Sequence, residues 1–386
     1  MKKLLVVIID KLSSLIKKGE ITERYYNPDD LFDEVHILML NNDSPDKARV
    51  QKMVGRAKLS ISNLPAGKAL FLISLGWQKW ALNIWAKPAI ELAQIFQPNI
   101  IRCHGHLLSA YVGALIHNSL NIPCITSLHI NPDEDVKNRA ATVIQKFICK
   151  LEERVEKWAL TNADLVLPVY QSIIPYLQRL GISNFEVAYN AINPAFLQKK
   201  TDYKLHNPVK IVSVGRLFNL KNPENIILAI KKLPNVHFTS FGDGPYFEYL
   251  QKLVIQNHLT NQVKLIPALS NDKLCSMLAK FDIFAVHTEH WEISKSVLES
   301  MLTGLPTIIN HRTGQPVPEF NDTFVYLVEN SVDGYFNAIR NLIENGALRE
   351  KLGRNAFNQA HKYWAPAQTE LNYANIYRRF LPGYVA

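Results

Sequence analysis

Two glutamates, Glu292 and Glu299, surround the start of an apolar helix in the segment HTEHWEISKSVLESMLTGLPTI, residues 287–308. Glu289 lies just upstream, and Lys295 lies between the pair. A carboxylate can accept hydrogen bonds from two neighbouring hydroxyls. A lysine near a helix N-terminus opposes the helix dipole, and a bound anion would relieve that cost. These residues suit either a solvated helix face or the floor of a site for a ligand with hydroxyls and negative charge.

Helical periodicity divides the side chains of this segment between two faces. The face predicted to be buried carries Val297, Leu298, Met301, Leu302 and Leu305. The other face carries Ser296, Glu299, Ser300 and Thr303. Glu292 precedes the helix and follows the predicted strand DIFAVHT, so it lies at the carboxyl end of a strand, where open parallel sheets bind ligands.

A glycine and two basic residues follow another predicted strand, KIVSV. Gly215 lets a ligand approach the backbone closely. Arg216 and Lys221 stand between that strand and the next helix, where a diphosphate would meet donors and a positive dipole. The alternative is a surface arginine and lysine in an ordinary loop.

Two histidines, His104 in IRCHGH and His129 in SLHINPDEDVKNR, lie where predicted strands of the first half end. Histidines at neighbouring strand ends are candidates for proton transfer, although a single histidine is more often structural. Asp133 and Asp135 resemble the Asp-x-Asp of metal-dependent sugar transferases. Pro132 and Asp133 are also typical of a turn or a helix start, and we predict no metal site.

The elements that position these residues alternate between short apolar runs and helical patterns, which is typical of parallel α/β layers. The strands predicted in the first half are Leu4–Ile9, Glu34–Leu40, Asn99–Cys103, Cys124–His129, Leu165–Val169 and Glu186–Tyr189. Those predicted in the second half are VKIVSV, VHFTSFGDG, VKLIPA, DIFAVHT, PTIIN and TFVYLV. Helices are predicted at Leu107–Leu120 and through ATVIQKFICKLEERVEKWAL.

A chain of 386 residues is too long for one ordinary core and suits two domains. The polar stretch 193–208 is predicted to connect them. We predict an N-terminal domain over residues 1–195 and a second domain over residues 196–365.

The formal net charge of +9 is unevenly distributed, because residues 47–90 carry eight basic residues and no acidic one. In the segment GWQKWALNIWAKP, residues 76–88, Trp77, Trp80, Ile84 and Trp85 share one helical face. Aromatic residues with lysines suit a helix that lies on an anionic membrane, and a helix packed in the core would show the same stripe.

The start of the chain and the cysteines indicate a cytoplasmic protein. The run Leu4–Ile9 is too short for a signal-peptide core and is closed by Asp10, so a buried strand is predicted instead. The four cysteines lack metal-ligand spacing and are predicted to be buried, reduced thiols.

Taken together, these pieces resemble a GT-B glycosyltransferase of the retaining glycosyltransferase family 4, also called glycosyl transferases group 1. SVGRLFNLKNPENIILAI, FGDGPYFEYL and SVLESMLTGLPTI carry the resemblance in the second half. IIRCHGH, PCITSLHI, ALTNADLVLPVY and VAYNAINPAFL extend it more weakly into the first. The fold that this implies is two Rossmann-like, doubly wound domains facing a central cleft. The final segment, at about residues 366–386, would be a helix that crosses back and completes the N-terminal domain.

The resemblance also implies roles for single residues. Gly215, Arg216 and Lys221 would hold the donor diphosphate, and Glu299 would bind the ribose hydroxyls. Glu292 would contact the donor sugar, assisted by main-chain amides around Ser294 and Lys295. His129 matches the family's active-site histidine, and His104 is a further candidate.

The chain departs from the family pattern at two places. Glu292 and Glu299 are one residue closer than usual, so either the loop is shorter or Glu289 substitutes for Glu292. The usual Gly-Gly loop after the first strand is replaced by KKGEITERYYNP, residues 17–28, in which Gly19 stands alone.

The expected function is a metal-independent, retaining hexosyltransferase that needs no cofactor. Its donor would be a UDP- or GDP-sugar, and its acceptor a hydroxyl of a lipid-linked or cell-surface glycan in polysaccharide biosynthesis. We expect the protein to be cytoplasmic, with peripheral contact at the inner face of the cell membrane, and we expect no nucleic acid as a partner. The alternatives are a nucleotide-sugar epimerase or hydrolase of the same fold, a metal-dependent transferase, and a non-catalytic scaffold that binds nucleotide sugars.

Overall fold

The chain folds into two compact units. A computed structural model describes residues 1–67, 70, 79–134, 142–190, 196–314 and 316–383. The first unit comprises Met1–Ala191 with Thr369–Ala386, and the second comprises Ile192–Gln368.

The described part of the first unit contains a parallel sheet of six strands in the order β3-β2-β1-β4-β5-β6. The strands are β1 (Lys3–Ile8), β2 (Glu34–Met39), β3 (Lys58–Asn63), β4 (Ile100–His104), β5 (Cys124–Leu128) and β6 (Leu165–Pro168). The helices are α1 (Leu12–Lys18), α2 (Lys47–Gln51), α3 (Lys79–Phe96), α4 (Leu108–Leu120), α5 (Val143–Thr161) and α6 (Ile174–Leu180).

The second unit contains a parallel sheet of six strands in the order β12-β11-β10-β7-β8-β9 among its described residues. The strands are β7 (Val209–Val214), β8 (Val236–Phe241), β9 (Val263–Ile266), β10 (Ile283–Val286), β11 (Thr307–Asn310) and β12 (Tyr326–Val328). The helices are α7 (Glu224–Ile230), α8 (Phe247–Gln256), α9 (Asn271–Leu278), α10 (Lys295–Thr303), α11 (Val332–Glu344) and α12 (Gly346–Tyr363). The last helix, α13 (Pro366–Arg378), begins at the end of the second unit and lies mostly in the first.

The central strands form because they are nearly continuous apolar runs, as sheets covered on both faces require. Every residue of β4, β5 and β10 is buried. Ile376 and Tyr377 of α13 belong to the hydrophobic core of the first unit, together with residues of β1 and β2. The predicted architecture of two doubly wound parallel layers is therefore confirmed.

The structure differs from the sequence-based expectations in three details. Strand β3 was not predicted, because it lies in the basic segment and only Leu59 among its residues is buried. The segment Glu186–Tyr189 is not a strand, although Phe185 bridges to Val166 of β6. The polar face of α10 is buried as well as its apolar face.

The order of strands reverses once in each sheet, between β1 and β4 in the first and between β7 and β10 in the second. At such a reversal the helices leave on opposite faces, and a crevice opens beyond the carboxyl ends of the two strands. The fold therefore marks His104 at the end of β4 and Gly215 after β7 as positions where a ligand can bind.

All four cysteines are buried free thiols, as predicted. Among the described residues, no helix combines the length and the apolar character needed to cross a membrane.

A backbone contact holds together the loops that follow β7 and β8. A Cβ atom added at Gly242 would lie 1.9 Å from the carbonyl oxygen of Gly215. We expect Gly242→Ala to lower the free energy of unfolding of the second unit by about 1–3 kcal/mol, because neither backbone can move away without shifting its strand. Urea unfolding followed by tryptophan fluorescence measures this change.

Gly346→Ala is the matched control, because a Cβ there would meet only the side chain of Arg349, at an ordinary distance of 3.5 Å. Equal stability of the two variants would contradict this account of the loop contact.

Candidate active site

An ion pair between Lys221 and Glu292 lies at the carboxyl end of the second sheet. Lys221 Nζ donates to Glu292 Oε1 at 3.0 Å, and the side chains are 12% and 28% exposed. A tight turn positions the lysine, since the amides of Phe218 and Lys221 donate to each other's carbonyl oxygens at 3.1 and 2.9 Å. A Cβ at Gly215 would lie 3.0 Å from Lys221 Cε, so this glycine leaves room for the lysine side chain.

The surroundings of Glu292 keep its carboxylate ionised. Burial raises its pKa, but the charge of Lys221 and the hydrogen bond from it outweigh burial, and the net pKa is lowered. The charges of His290 and Arg312 act in the same direction. The site thus pairs one fixed cation with one fixed anion.

Arg216 provides a second cation at the end of β7. Its side chain is exposed, and its guanidinium carbon lies 5.7 Å from the centre of the Phe218 ring. No ion pair of Arg216 with another described residue is present, so its charge is not neutralised as that of Lys221 is. Arg216 can therefore meet a phosphate directly.

Glu289, the alternative to Glu292, is held in a separate hydrogen-bond network. Its Oε1 contacts His287 Nε2 and Asn310 Nδ2, each at 3.1 Å. Its Oε2 accepts from the amide and the hydroxyl of Thr313, at 3.2 and 2.9 Å. A carboxylate with these four contacts fixes the loop after β10 and has little capacity for a ligand. The geometry favours Glu292 as the carboxylate that would face a sugar.

Glu299 lies on α10 and is 2% exposed. Asn271 Nδ2, at the first residue of α9, donates to Glu299 Oε1 at 2.7 Å. Burial and the neighbouring charge of Glu299 raise the pKa of the Cys275 thiol, which keeps that thiol neutral. Asn271 therefore orients the carboxylate predicted to bind ribose.

The start of α10 is formed by Ser294 and Lys295. Ser294 precedes the helix in an extended conformation and is 9% exposed, while Lys295 is its exposed first residue. Ser296 Oγ donates to the carbonyl oxygen of Val214 at 2.9 Å and ties this helix end to β7. Contacts within the second unit thus join Lys221 to Glu292 and the start of α10 to the end of β7.

In the first unit, the structure brings His104 and His129 together. His104 Nδ1 lies 3.2 Å from His129 Nε2, and the two rings are stacked with centroids 5.3 Å apart. Burial lowers the pKa of His104 well below its ordinary value, and the charges of Arg102 and His129 lower it further. His104 is therefore neutral at physiological pH.

Gly19 caps the C-terminus of α1 in the left-handed conformation, with φ 70°. A glycine is favoured there for structural reasons alone. The structure thus explains Gly19 without a ligand.

The alternative metal site was expected at Asp133 and Asp135. Asp133 pairs with Arg179 at 2.6 Å, and Asp135 lies outside the described residues. The described part of the chain contains no group of three or more histidine, cysteine or acidic side chains that could hold a metal ion.

Sequence reasoning missed Asn271 and Arg102. Asn271 begins a helix after Ser270, where a polar residue is expected for structural reasons. Arg102 carried a signal that could have been used, since it places a charge inside the otherwise buried strand IIRCH.

Comparisons with known proteins identify the family and the fold of the chain. The family model for glycosyl transferases group 1 matches residues 197–359, and the model for Glycosyltransferase Family 4 matches residues 31–196. The sulfoquinovosyl transferase SQD2 of Arabidopsis thaliana is 25% identical over 311 residues, which are 76% of this chain and 60% of that protein. The chain thus spans less than two thirds of this relative.

Two solved structures share the whole fold. Sucrose-phosphate synthase from Thermosynechococcus elongatus is 15% identical with a TM-score of 0.73, and the match covers 98% of this chain and 99% of that one. HepE from Anabaena, in complex with UDP-glucose, is 15% identical with a TM-score of 0.72, and the match covers 98% and 100%. At this identity the likeness establishes the GT-B fold.

The ion pair predicts a change in the titration of Glu292. Its folded-state pKa is lowered, so the pair stabilises the protein above the unfolded pKa of the carboxyl group, and this stabilisation is lost as the pH falls through the folded pKa. In Lys221→Met only burial and the weaker charges remain, and we expect the pKa of Glu292 to rise. NMR titration of the labelled carboxyl carbon measures it.

Lys252→Met removes an exposed lysine of α8 and should leave the titration of Glu292 unchanged. An unchanged pKa in Lys221→Met would show that the lysine does not set the charge state of this carboxylate.

Proposed function

The chain belongs to the GT-B glycosyltransferases of group 1 and family 4, and on that premise we propose that it moves a hexose from a nucleoside diphosphate sugar to a hydroxyl acceptor. The observation that carries this proposal is the contact of Lys221 with Glu292 beside the exposed cation of Arg216. These groups match the parts of a nucleotide sugar, namely a diphosphate and a polyhydroxylated ring.

The donor site is assigned as follows. Arg216 and Lys221 bind the diphosphate, and Glu299, oriented by Asn271, accepts hydrogen bonds from the ribose hydroxyls. Glu292 contacts the sugar, with the main chain at Ser294 and Lys295 nearby. UDP-glucose is the first donor to test, because HepE has been crystallised with it.

The reaction proceeds with retention and without a metal ion in this proposal. The bond between the sugar's anomeric carbon and the diphosphate oxygen breaks, and a bond to the acceptor oxygen forms on the same face. The acceptor's proton passes to the departing phosphate. Arg216 and Lys221 stabilise the charge on that leaving group, which is the task a metal would otherwise perform. His129, in contact with His104, is the proposed catalytic histidine.

The acceptor is proposed to be lipid-linked or part of a cell-surface glycan, handled at an anionic membrane. Helices α3 and α5 both pack on α4. On α3, Trp80 and Ile84 are 59% and 67% exposed. At the start of α5, Ile144 and Phe147 are 73% and 59% exposed. Exposed apolar side chains of this size are costly in water unless a partner covers them. Trp77 lies outside the described residues.

Basic residues accompany this apolar surface. Lys146 and Lys150 lie on the same first turns of α5 and are exposed, and Lys87 on α3 is 74% exposed. Lysines beside exposed aromatic and aliphatic residues are typical of helices that lie on anionic lipid. This second helix was not part of the sequence-based hypothesis.

The donor assignment predicts that Glu299→Gln weakens binding of UDP-glucose by roughly tenfold or more, because hydrogen bonds from two hydroxyls to a carboxylate become bonds to a neutral amide. Arg216→Ala should weaken it to a similar extent. Isothermal titration calorimetry measures the affinity, and acceptor-dependent release of UDP measures turnover.

Glu248→Gln, in the first turn of α8, is the matched control and should bind UDP-glucose as the wild type does.

Consumption of donor without an acceptor would point to hydrolysis or epimerisation instead. Turnover that disappears in EDTA and returns with a divalent cation would remove the metal-independent mechanism. His129→Ala should lower kcat more than it weakens donor binding.

The membrane proposal predicts that Ile144→Ser with Phe147→Ser reduces co-sedimentation with phosphatidylglycerol vesicles, since burial of both side chains in lipid is lost. Ile255→Ser, at a residue that is 63% exposed in the second unit, is the control and should bind as the wild type does. Equal binding of all three proteins, or no binding of the wild type at low salt, would refute the membrane contact.

A further inference from the structure

Arg102 is a buried cation whose hydrogen bonds are incomplete. It is 1% exposed in the middle of β4. Its Nη2 donates to Ser127 Oγ, and the hydroxyls of Tyr373 and Tyr377 also form hydrogen bonds with the guanidinium. Its Nε and Nη1 atoms are buried and have no hydrogen-bond partner in the described part of the chain.

A second unpartnered nitrogen lies on the same face of the strand. His104 follows Arg102 by two residues, so both side chains leave β4 on one side. His104 Nε2 is buried and has no hydrogen-bond partner among the described residues, whereas Nδ1 contacts His129. The rings of Tyr25 and Tyr26 lie 5.6 and 5.1 Å from the His104 ring.

The other groups around Arg102 do not neutralise its charge. The ring of Tyr373 has its centre 5.3 Å from the guanidinium carbon. Burial raises the pKa of Tyr25, Tyr373 and Tyr377, so these phenols are neutral at physiological pH. The charge of Asp10 raises the pKa of Tyr25, but no ion pair joins Arg102 to a carboxylate among the described residues.

The position of this cluster in the fold is one where ligands bind. Strands β1 and β4 are the pair at which the first sheet reverses its order. His104 is the last residue of β4, and its partner His129 directly follows β5. Tyr25 and His129 are only half-buried, so the cluster reaches solvent along their edge.

We propose that Arg102 and His104 bind an anionic group, a phosphate or a carboxylate, on the acceptor of the transfer reaction. An anion would supply the hydrogen bonds that Nε, Nη1 and His104 Nε2 lack, and it would compensate a charge that is costly to bury alone. That the ligand is the acceptor rests on the proposed function, whereas the anion site itself does not. The site would make the enzyme selective for an acidic or phosphorylated acceptor over a neutral one.

The experiment is a calorimetric titration of the intact protein in saturating UDP, which fills the donor site with its own diphosphate. The titrants are inorganic phosphate, sn-glycerol 3-phosphate for a lipid headgroup, glucose 1-phosphate for a sugar phosphate, glucuronate for a sugar acid, and glucose as the neutral control. We expect one equivalent of at least one anion to bind and glucose not to bind. Arg102→Met should weaken that binding at least roughly tenfold.

Two further variants keep the result independent of folding defects. His104→Phe keeps an aromatic ring in place to stack on His129, and it should also weaken binding of the anion. Arg154→Met, at an exposed arginine of α5, should bind as the wild type does. Arg102→Met should melt no lower than the wild type, since an apolar side chain replaces an isolated buried cation. A lower melting temperature with unchanged anion affinity would assign Arg102 a purely structural role and overturn the proposal.

The two proposals fail separately. Loss of UDP binding in the wild type would refute the donor site. Normal UDP binding with no anion binding would refute the Arg102 site alone. Arg216→Ala provides the reciprocal control, because it should weaken binding of UDP and leave the affinity for the anion unchanged.

Discussion

The reversal of strand order in each sheet is the constraint on which the functional residues depend. Parallel strands joined by helices send all their carboxyl ends to one edge, and only at the reversal do two adjacent loops separate. Gly215 and Glu292 follow the two strands that meet there in the second sheet, and Arg102 and His104 lie on one of the two in the first. In each unit, residues that are far apart in the sequence come together because their strands are neighbours in the sheet.

Within the second unit, neighbours decide which carboxylate is available. Glu289 is surrounded by donors of the protein itself, whereas Glu292 has one lysine and remains 28% exposed. Glu299 is almost completely buried and is oriented by an asparagine. The three carboxylates lie within eleven residues of sequence, yet each has a different environment.

The sequence predicted much of the fold because apolar runs such as KLLVVI and IFAV report burial directly. It did not predict β3, whose residues are mostly half-buried or exposed and lack that signal. The positions of the cations and of Glu299 followed from motifs, whereas the choice between Glu289 and Glu292 required the partners Asn310 and Thr313, which lie about twenty residues away. The pairing of His104 with His129 likewise depends on the register of β4 beside β5.

Arg216 and Lys221, the two basic residues after β7, differ in the range over which their charges attract a ligand. The charge of Lys221 is cancelled at short range by Glu292, while that of Arg216 extends into solvent. Long-range attraction raises the rate at which an oppositely charged ligand arrives and weakens with ionic strength. For a diphosphate ligand, Arg216 would therefore govern the speed of encounter and its dependence on salt. Lys221, which must first exchange one anionic partner for another, would govern how long the ligand stays.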